Sequence, residues 1–250
     1  MAPPPSALYT TTLLLVLLAT LFVAATLRLI AILPRTPFHS PLPRQRSRPT
    51  RVLIVLGSGG HTQEMLYLLK DLDPRKYMHR TWVVSSGDAF SARRAVDFEE
   101  ALEKKVGEKG GTIEKGNVGP ESYDIATVPR ARKIHQSLLT TPLSSLHCLY
   151  ASFTPLLSSR TNDLPDLIIT NGPATAVILI LASLILKFFN IRGASSRDKC
   201  KTIYVESFAR VKTLSLSGKL LCMVVDRFLV QWEELKGRGG RRAEYWGILV

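Results

Sequence analysis

The hydrophobic positions along the chain form two patterns. Residues 8–33 are apolar apart from threonines, Tyr9 and Arg28, a length at which one helix spans the hydrocarbon core of a bilayer. After residue 50, short apolar runs alternate with longer amphipathic segments, which predicts an α/β domain. The runs that predict strands begin at Arg51, Thr81, Tyr123, Asp166, Thr202 and Arg227. We therefore expect a single Rossmann-like, doubly wound parallel sheet, preceded by one transmembrane helix.

A second apolar segment, Ala174–Phe189, allows three interpretations. A second membrane span would normally be longer and would not carry Lys187. The other two interpretations are a helix lying in the membrane surface and a buried crossover helix of the sheet. The short length favours the buried helix, with some membrane contact.

Basic residues follow the first apolar segment and indicate its orientation, namely Arg35, Arg44, Arg46, Arg48 and Arg51. The positive-inside rule places the chain after them in the cytosol. The expected organisation is a short lumenal N-terminus (1–7), the transmembrane helix (8–33), a basic linker rich in Pro and Ser (34–50) and a cytosolic domain (51–250). A cleaved signal peptide is the alternative, but no Lys or Arg precedes Leu8 to form its basic start.

The composition narrows the classes of partner. A net charge of +13 indicates anionic partners such as phosphates or anionic lipids. Nucleic acid is not expected, because the basic residues form no stripe with interleaved aromatics and no recognition motif occurs. Cys148, Cys200 and Cys222 lie far apart without a CxxC pair, so we expect reduced, buried thiols. The sequence indicates neither a metal site nor a cofactor.

The segment GSGGHT follows the first predicted strand and precedes a helix. A dinucleotide fingerprint needs glycine where Thr62 stands, and a P-loop needs a Gly-Lys pair, so neither motif is present. Glycines still let backbone N–H groups approach an anion at a helix N-terminus. A tight turn without a ligand is the alternative, and His61 could bind phosphate, act as a base or simply pack. The predicted diphosphate site comprises Gly57, Ser58, Gly59, Gly60, His61 and Thr62.

Polar residues also follow two other predicted strands: Asn171, Gly172 and Pro173 after one, and Glu206, Ser207, Arg210 and Lys212 after the other. Asn171 either contacts a sugar or caps the next helix. Glu206 either faces a ligand or forms a structural pair with Arg210. Ligands of doubly wound sheets bind beyond the carboxyl ends of the strands, so we expect these segments to share one crevice.

Five segments carry a resemblance to a known family: GSGGHTQEM, NGPATAV, YVESFARVKTLSLSGKLL, DRFLVQW and YWGILV. Through them the chain resembles the membrane-anchoring subunits of the UDP-N-acetylglucosamine (UDP-GlcNAc) transferase of the dolichol-linked oligosaccharide pathway. The resemblance covers nearly all of the chain after the linker, and the single N-terminal span matches as well. Ala174, Ala176 and Glu233 depart from the family's usual glycine, cysteine and proline.

This resemblance implies the N-terminal, acceptor-side half of a split GT-B glycosyltransferase. A small soluble catalytic subunit would supply the half that binds UDP-GlcNAc. Together they would add the second GlcNAc to dolichyl-diphosphate-GlcNAc at the cytosolic face of the endoplasmic reticulum membrane, with the nuclear envelope as a further location. The GlcNAc-1-phosphate transferase of the preceding step is a further candidate partner. The length agrees, because a two-domain transferase needs about twice the residues that follow the linker.

The resemblance also implies roles for the residues named above. The loop Gly57–Thr62 would bind the acceptor diphosphate, flanked by Asn171, Gly172, Pro173, Ser207 and Arg210. His61 and Glu206 are candidate bases for the attacking sugar hydroxyl, unless the partner supplies the base. The predicted partner contact is the apolar C-terminus, Tyr245, Trp246, Ile248, Leu249 and Val250. The alternatives are a pure membrane recruitment scaffold with a non-catalytic Rossmann domain, and a complete tethered nucleotide-sugar enzyme, which the length disfavours.

Overall fold

The computed structural model describes residues 7–34, 50–108, 117–132, 136–137, 139–157, 163–172, 174–196 and 199–250. The chain forms two compact units, residues 1–33 and residues 34–250, and each is described by itself. Pro173 and most of the expected linker lie outside the described residues.

The first unit is the helix α1, Ala7–Ile32. Its segment Tyr9–Ile32 has a mean hydropathy of 2.5, and 0% of its apolar stretch is buried. The hydroxyls of Thr12, Thr20 and Thr26 each donate to a backbone carbonyl three or four residues earlier, which satisfies them in an apolar medium. Among the described residues this is the one helix long and apolar enough to cross a membrane, so it is a candidate anchor.

The second unit is built on one seven-stranded sheet in which every strand pair is parallel. The strands are β1 (Arg51–Val55), β2 (His79–Ser85), β3 (Tyr123–Val128), β4 (Leu167–Asn171), β5 (Lys201–Val205), β6 (Arg227–Val230) and β7 (Ala243–Tyr245). Their order is β3-β2-β1-β4-β5-β6-β7. The predicted Rossmann-like, doubly wound sheet is confirmed.

Helices connect most of the strands: α2 (Gly60–Leu68), α3 (Ala89–Glu108), α4 (Thr141–Leu157), α5 (Ala174–Phe188) and α6 (Leu216–Leu221). Short helical turns occur at Ile191–Gly193, Glu233–Leu235 and Arg238–Arg241. Pro142 stands in the first turn of α4, where the missing N–H costs nothing, and Pro155 lies in its last turn.

The core lies on both faces of the central strand β1, all five residues of which are buried. Leu53 and Val55 pack on one face with residues of α4 and α5. Val52 and Ile54 pack on the other face with residues of α2 and α3. Because its side chains alternate between two buried faces, β1 has the unbroken apolar sequence of a central parallel strand.

The apolar segment after β4 forms the core helix α5. Leu179, Ala182 and Leu186 are completely buried against the sheet and α4. Its one cation, Lys187, is also buried and lies 3.5 Å from Asp226. The prediction of a buried crossover helix is therefore confirmed over a second span, whereas contact with a membrane stays a prediction.

Candidate functional site

The strand order creates a switch point between β1 and β4. β1 continues through α2 to its neighbour β2, whereas β4 continues through α5 to β5 on the opposite side. The two connections therefore separate and leave a crevice beyond the carboxyl ends of the strands. The loop after β1 and Gly172 after β4 both border this crevice, as the sequence predicted for a shared site.

The loop after β1 offers backbone donors. Gly59 has a φ of 62°, which favours glycine, and Ser58, Gly59 and Gly60 are exposed. The N–H groups of Thr62 and Gln63 bond to the carbonyl of Gly59. The N–H groups of residues 58–61 donate no backbone hydrogen bond to any described residue, as expected at the start of a helix. These N–H groups can therefore receive an anion at the positive end of α2.

Gly57 and Thr62 support this loop from beneath. Both residues are buried. The Thr62 hydroxyl contacts the carbonyl of Gly57 and lies 2.6 Å from the Ser91 hydroxyl. Ser91 in turn donates to the Asp88 carboxylate at 2.8 Å. Thr62, a predicted ligand residue, thus has its side chain turned into the protein, where it fixes the shape of the loop.

His61 lies against the backbone that follows β4. Gly172 has a φ of 70°, and a Cβ there would stand 2.7 Å from the His61 ring. The Asn171 side-chain amide donates to the His61 carbonyl at 2.7 Å. The buried Oδ1 of Asn171 has no hydrogen-bond partner within the described part of the chain. Asn171 and Gly172 therefore hold His61 in place, whereas the predicted ligand Pro173 lies outside the described residues.

Glu64, one turn further along α2, joins three parts of the crevice. Its carboxylate lies 3.4 Å from His61 Nδ1, accepts from the Ser207 hydroxyl at 3.0 Å and lies 3.5 Å from the Asn171 amide nitrogen. Burial alone would raise the pKa of Glu64, but the hydrogen bonds from His61 and Ser207 outweigh it and the pKa is lowered.

Glu206, at the end of β5, is only 1% exposed. Its carboxylate accepts from the N–H and hydroxyl of Ser215, at 3.0 and 3.1 Å, and from the N–H of Ser207 at 3.2 Å. A Cβ on Gly218 would stand 2.1 Å from the same carboxylate. The hydrogen-bond partner of the Glu206 carboxylate is thus mainly the turn that begins α6. Within the described part of the chain, Glu206 forms no ion pair with Arg210.

These elements enclose a cleft of about 410 Å³. It is lined by His61, Gly172, Glu206, Ser207, Ala209, Arg210, Ser215, Leu216 and Ser217. Arg210 is the one Lys or Arg in this lining, and its side chain is exposed. The site therefore combines a partly open cleft, one exposed cation, Arg210, and a row of backbone donors beside the His61 imidazole.

Known proteins match this chain over almost all of the second unit. The family described as "Oligosaccharide biosynthesis protein Alg14 like" matches residues 52–249. The chain belongs to the Alg14 family. UDP-N-acetylglucosamine transferase subunit alg14 of Aspergillus fumigatus is 45% identical over 72% of this chain and 96% of its own length. The namesake subunit of Mus musculus is 35% identical over 79% of this chain and 81% of its own length.

Two solved structures align with this chain at low identity. Acinetobacter baumannii MurG aligns with a TM-score of 0.45 at 12% identity, over 74% of this chain and 41% of MurG. Arabidopsis thaliana UGT89C1, solved with UDP, aligns with a TM-score of 0.44 at 14% identity, over 81% of this chain and 53% of its own. The Alg14-family chain thus spans about half of each of these structures.

The C-terminus of this Alg14-family chain is partly exposed. Trp246 and Ile248 are 65% and 57% exposed, whereas Tyr245, Leu249 and Val250 are half-buried. The Arg227 guanidinium lies 5.0 Å from the centre of the Trp246 ring. An exposed tryptophan beside apolar residues suits an interface, so partner contact here stays a prediction.

The three cysteines of the Alg14-family chain are free and buried, as the sequence predicted. Burial raises the pKa of the Cys200 thiol to about 11, so this thiol stays protonated and unreactive near neutral pH. Among the described residues, no three His, Cys, Asp or Glu side chains are grouped to hold a metal ion.

Proposed function

We propose that this chain is the membrane-anchoring, acceptor-side subunit of a heteromeric UDP-GlcNAc transferase. The complex adds the second N-acetylglucosamine to dolichyl-diphosphate-GlcNAc during synthesis of the N-glycan precursor. Membership of the Alg14 family and the name of its relatives, UDP-N-acetylglucosamine transferase subunit, support the general assignment. The acceptor, the step and the membrane role are inferences from the site and from the sequence.

One observation carries the acceptor assignment: at the start of α2, the N–H groups of residues 58–61 make no backbone hydrogen bond to the described part of the chain. Such groups, together with the helix dipole, bind phosphate without needing a side-chain cation. The acceptor diphosphate binds this loop, and its sugar extends into the adjacent cleft. Arg210 lies on the cleft wall, where it adds positive charge for the phosphates.

The chemistry needs a base that removes the proton of the attacking sugar hydroxyl. His61 lines the cleft and its side chain is 32% exposed, so it can reach a bound hydroxyl. Glu206 is occupied by three hydrogen bonds within its own loop. His61 is therefore the base that this chain offers.

The donor half comes from a partner. The relatives of this chain are named UDP-N-acetylglucosamine transferase subunits, which implies a further subunit, and the described residues form one doubly wound sheet. A soluble subunit that binds UDP-GlcNAc docks at the exposed C-terminal residues, including Trp246 and Ile248. The enzyme of the preceding step, which makes dolichyl-diphosphate-GlcNAc, is a further candidate partner.

Membrane attachment places the site beside its lipid-borne substrate. The helix α1 spans the endoplasmic reticulum membrane once, with residues 1–7 in the lumen. Residues 34–50 form the basic linker near anionic head groups, and residues 51–250 lie in the cytosol. The same orientation holds in the nuclear envelope, which is continuous with that membrane.

The test uses detergent-solubilised membranes that contain the full chain with or without its donor-binding subunit. Transfer from UDP-GlcNAc to a dolichyl-diphosphate-GlcNAc analogue is expected only when both subunits are present. Turnover by the chain alone would overturn the split-enzyme assignment. Gly60→Leu is expected to abolish transfer. The complex should still co-purify, because a Cβ at Gly60 meets no atom within 4 Å. The control is Gly107→Leu in α3, where a Cβ also meets open space.

A pure recruitment scaffold is the alternative function. The commitment of the Glu206, Thr62 and Asn171 side chains to internal hydrogen bonds favours it, because such a site stays rigid without a ligand. His61→Ala in the assembled complex separates the two functions. A loss of roughly 100-fold in kcat supports the catalytic subunit, whereas unchanged turnover supports the scaffold.

A further inference from the structure

Glu64 occupies the position from which a carboxylate controls a catalytic histidine. It is one helical turn after His61, and its Oε2 lies 3.4 Å from His61 Nδ1. Residues three apart on a helix lie on the same face, so α2 itself brings the two side chains together. A hydrogen bond at Nδ1 fixes which ring nitrogen carries the proton and leaves Nε2 as the acceptor atom.

The carboxylate of Glu64 is held from the far side of the crevice. The Ser207 hydroxyl, from the segment after β5, donates to its other oxygen at 3.0 Å. The Asn171 amide, from the end of β4, lies 3.5 Å from the oxygen that faces His61. Three separate elements thus meet at one side chain that is 19% exposed. A glutamate exposed on a helix surface is hydrated by water and does not require such protein partners.

We propose that Glu64 is a positioning residue that orients His61 and stabilises its protonated form during sugar transfer. This inference rests on the proposed function. The acceptor hydroxyl oxygen forms a bond to the anomeric carbon of GlcNAc, while the bond from that carbon to the diphosphate oxygen breaks. UDP leaves with the electron pair of that bond. The hydroxyl proton passes to His61 Nε2, and the imidazolium later releases a proton to solvent.

Other titratable groups also face this region, and their influence on His61 must be compared with that of Glu64. Glu206 and Arg210 line the same cleft from the segment after β5. Tyr204, on β5, places its hydroxyl 3.3 Å from the Gly172 carbonyl, and burial raises its pKa far above the working range. Glu64 is the carboxylate in hydrogen-bond contact with the His61 ring, so its charge acts on the imidazolium most directly.

The experiment compares wild type, Glu64→Gln, His61→Ala and the double variant in the assembled complex. Glu64→Gln keeps the shape of the side chain and removes its charge. We expect kcat to fall about 10- to 100-fold, the range for losing one charge-assisted hydrogen bond. The acid limb of the pH profile of kcat should move to lower pH, because the imidazolium loses its neighbouring negative charge. Glu100→Gln, an exposed site on α3, is the matched control.

The double variant decides whether Glu64 acts through His61. If it does, adding Glu64→Gln to His61→Ala changes kcat less than twofold, whereas independent effects would multiply. Multiplied effects, or an unchanged pH profile in Glu64→Gln, would overturn the positioning role. Loss of activity in Glu64→Gln accompanied by loss of complex assembly would also overturn it, in favour of a structural role. Absence of transfer by the wild-type complex would instead refute the proposed function, so the two failures are distinguishable.

Discussion

The two walls of the crevice are built in different ways. The wall after β1 presents backbone N–H groups of exposed glycines, around which a new Cβ would meet open space. The wall after β5 is centred on the buried carboxylate of Glu206, which accepts hydrogen bonds from the backbone N–H and the hydroxyl of Ser215. The first wall is suited to receiving a ligand, and the second is suited to keeping the site in shape.

Among the substitutions that test this contrast between the walls, the largest effect is expected where the two walls meet, at Gly172. In Gly172→Ala the new Cβ would stand 2.7 Å from the His61 ring, at a φ of 70° that alanine rarely adopts. The ring must move, and we expect kcat to fall by roughly 100-fold or more, the contribution of a positioned base. Gly193→Ala controls for backbone strain alone, because Gly193 has a φ of 74° and no atom within 4 Å of its Cβ position. Equal losses in both variants would show that strain, and not the ring contact, is responsible.

A smaller effect, on stability, is expected within the second wall. In Gly218→Ala the Cβ would stand 2.1 Å from the Glu206 carboxylate. We expect the free energy of unfolding to fall by about 1–3 kcal/mol, as for other overpacked sites. Thermal unfolding of the solubilised chain should then occur about 2–4 °C lower per kcal/mol.

Gly107→Ala provides the opposite control for Gly218→Ala. Gly107 lies in α3 with open space around its Cβ position, so alanine is expected to raise stability by roughly 0.5–1 kcal/mol. If Gly218→Ala were as stable as wild type, the second wall would be adaptable, and its contrast with the first wall would fail.

The fold was more predictable from the sequence than these two walls. The central strands are apolar because both of their faces are buried, so β1 and β4 stand out as local runs. β7 was not predicted, because its three residues, Ala243–Tyr245, are too few for a recognisable alternation. Its place in the sheet depends on pairing with β6, which is a tertiary contact.

The site was predictable only as a set of strand ends. The rule for parallel sheets brought the loop after β1 and Gly172 together, because strand order determines which ends are neighbours. The role of Glu64 was missed, since its partner Ser207 lies 143 residues away. Its spacing from His61 was the available signal, because side chains three apart on a helix can meet. Glu206 was predicted as a candidate base; its burial and its hydrogen bond with Ser215 favour a supporting role instead, and both roles stay predictions.

Glu206→Gln tests that supporting role on the second wall. An amide in place of the carboxylate leaves the donors of Ser215 and Ser207 imperfectly paired, at a cost of about 1–3 kcal/mol. We expect the protein to be less stable. We also expect kcat to fall by roughly 10-fold because the cleft loosens, a loss that corresponds to the lower part of the range of about 1–3 kcal/mol. The pH profile of kcat should keep its shape. Loss of one limb of that profile would restore Glu206 as the base. The control is Glu234→Gln, at an exposed position.

The smallest effect concerns the dependence of stability on pH at the first wall. Because the hydrogen bonds of Glu64 with His61 and Ser207 lower the pKa of its carboxyl in the folded chain, ionised Glu64 favours folding. This contribution is complete above the unfolded value near 4.5 and is lost as the pH falls through the lower, folded pKa. Wild type should therefore lose stability relative to Glu64→Gln as the pH falls below about 4.5. Thermal unfolding of both proteins across this pH range checks the sign, with Glu100→Gln as the exposed control. If the difference in stability between the two proteins did not depend on pH, the Glu64 carboxylate would contribute no charge-dependent stability to the wall that it shares with His61.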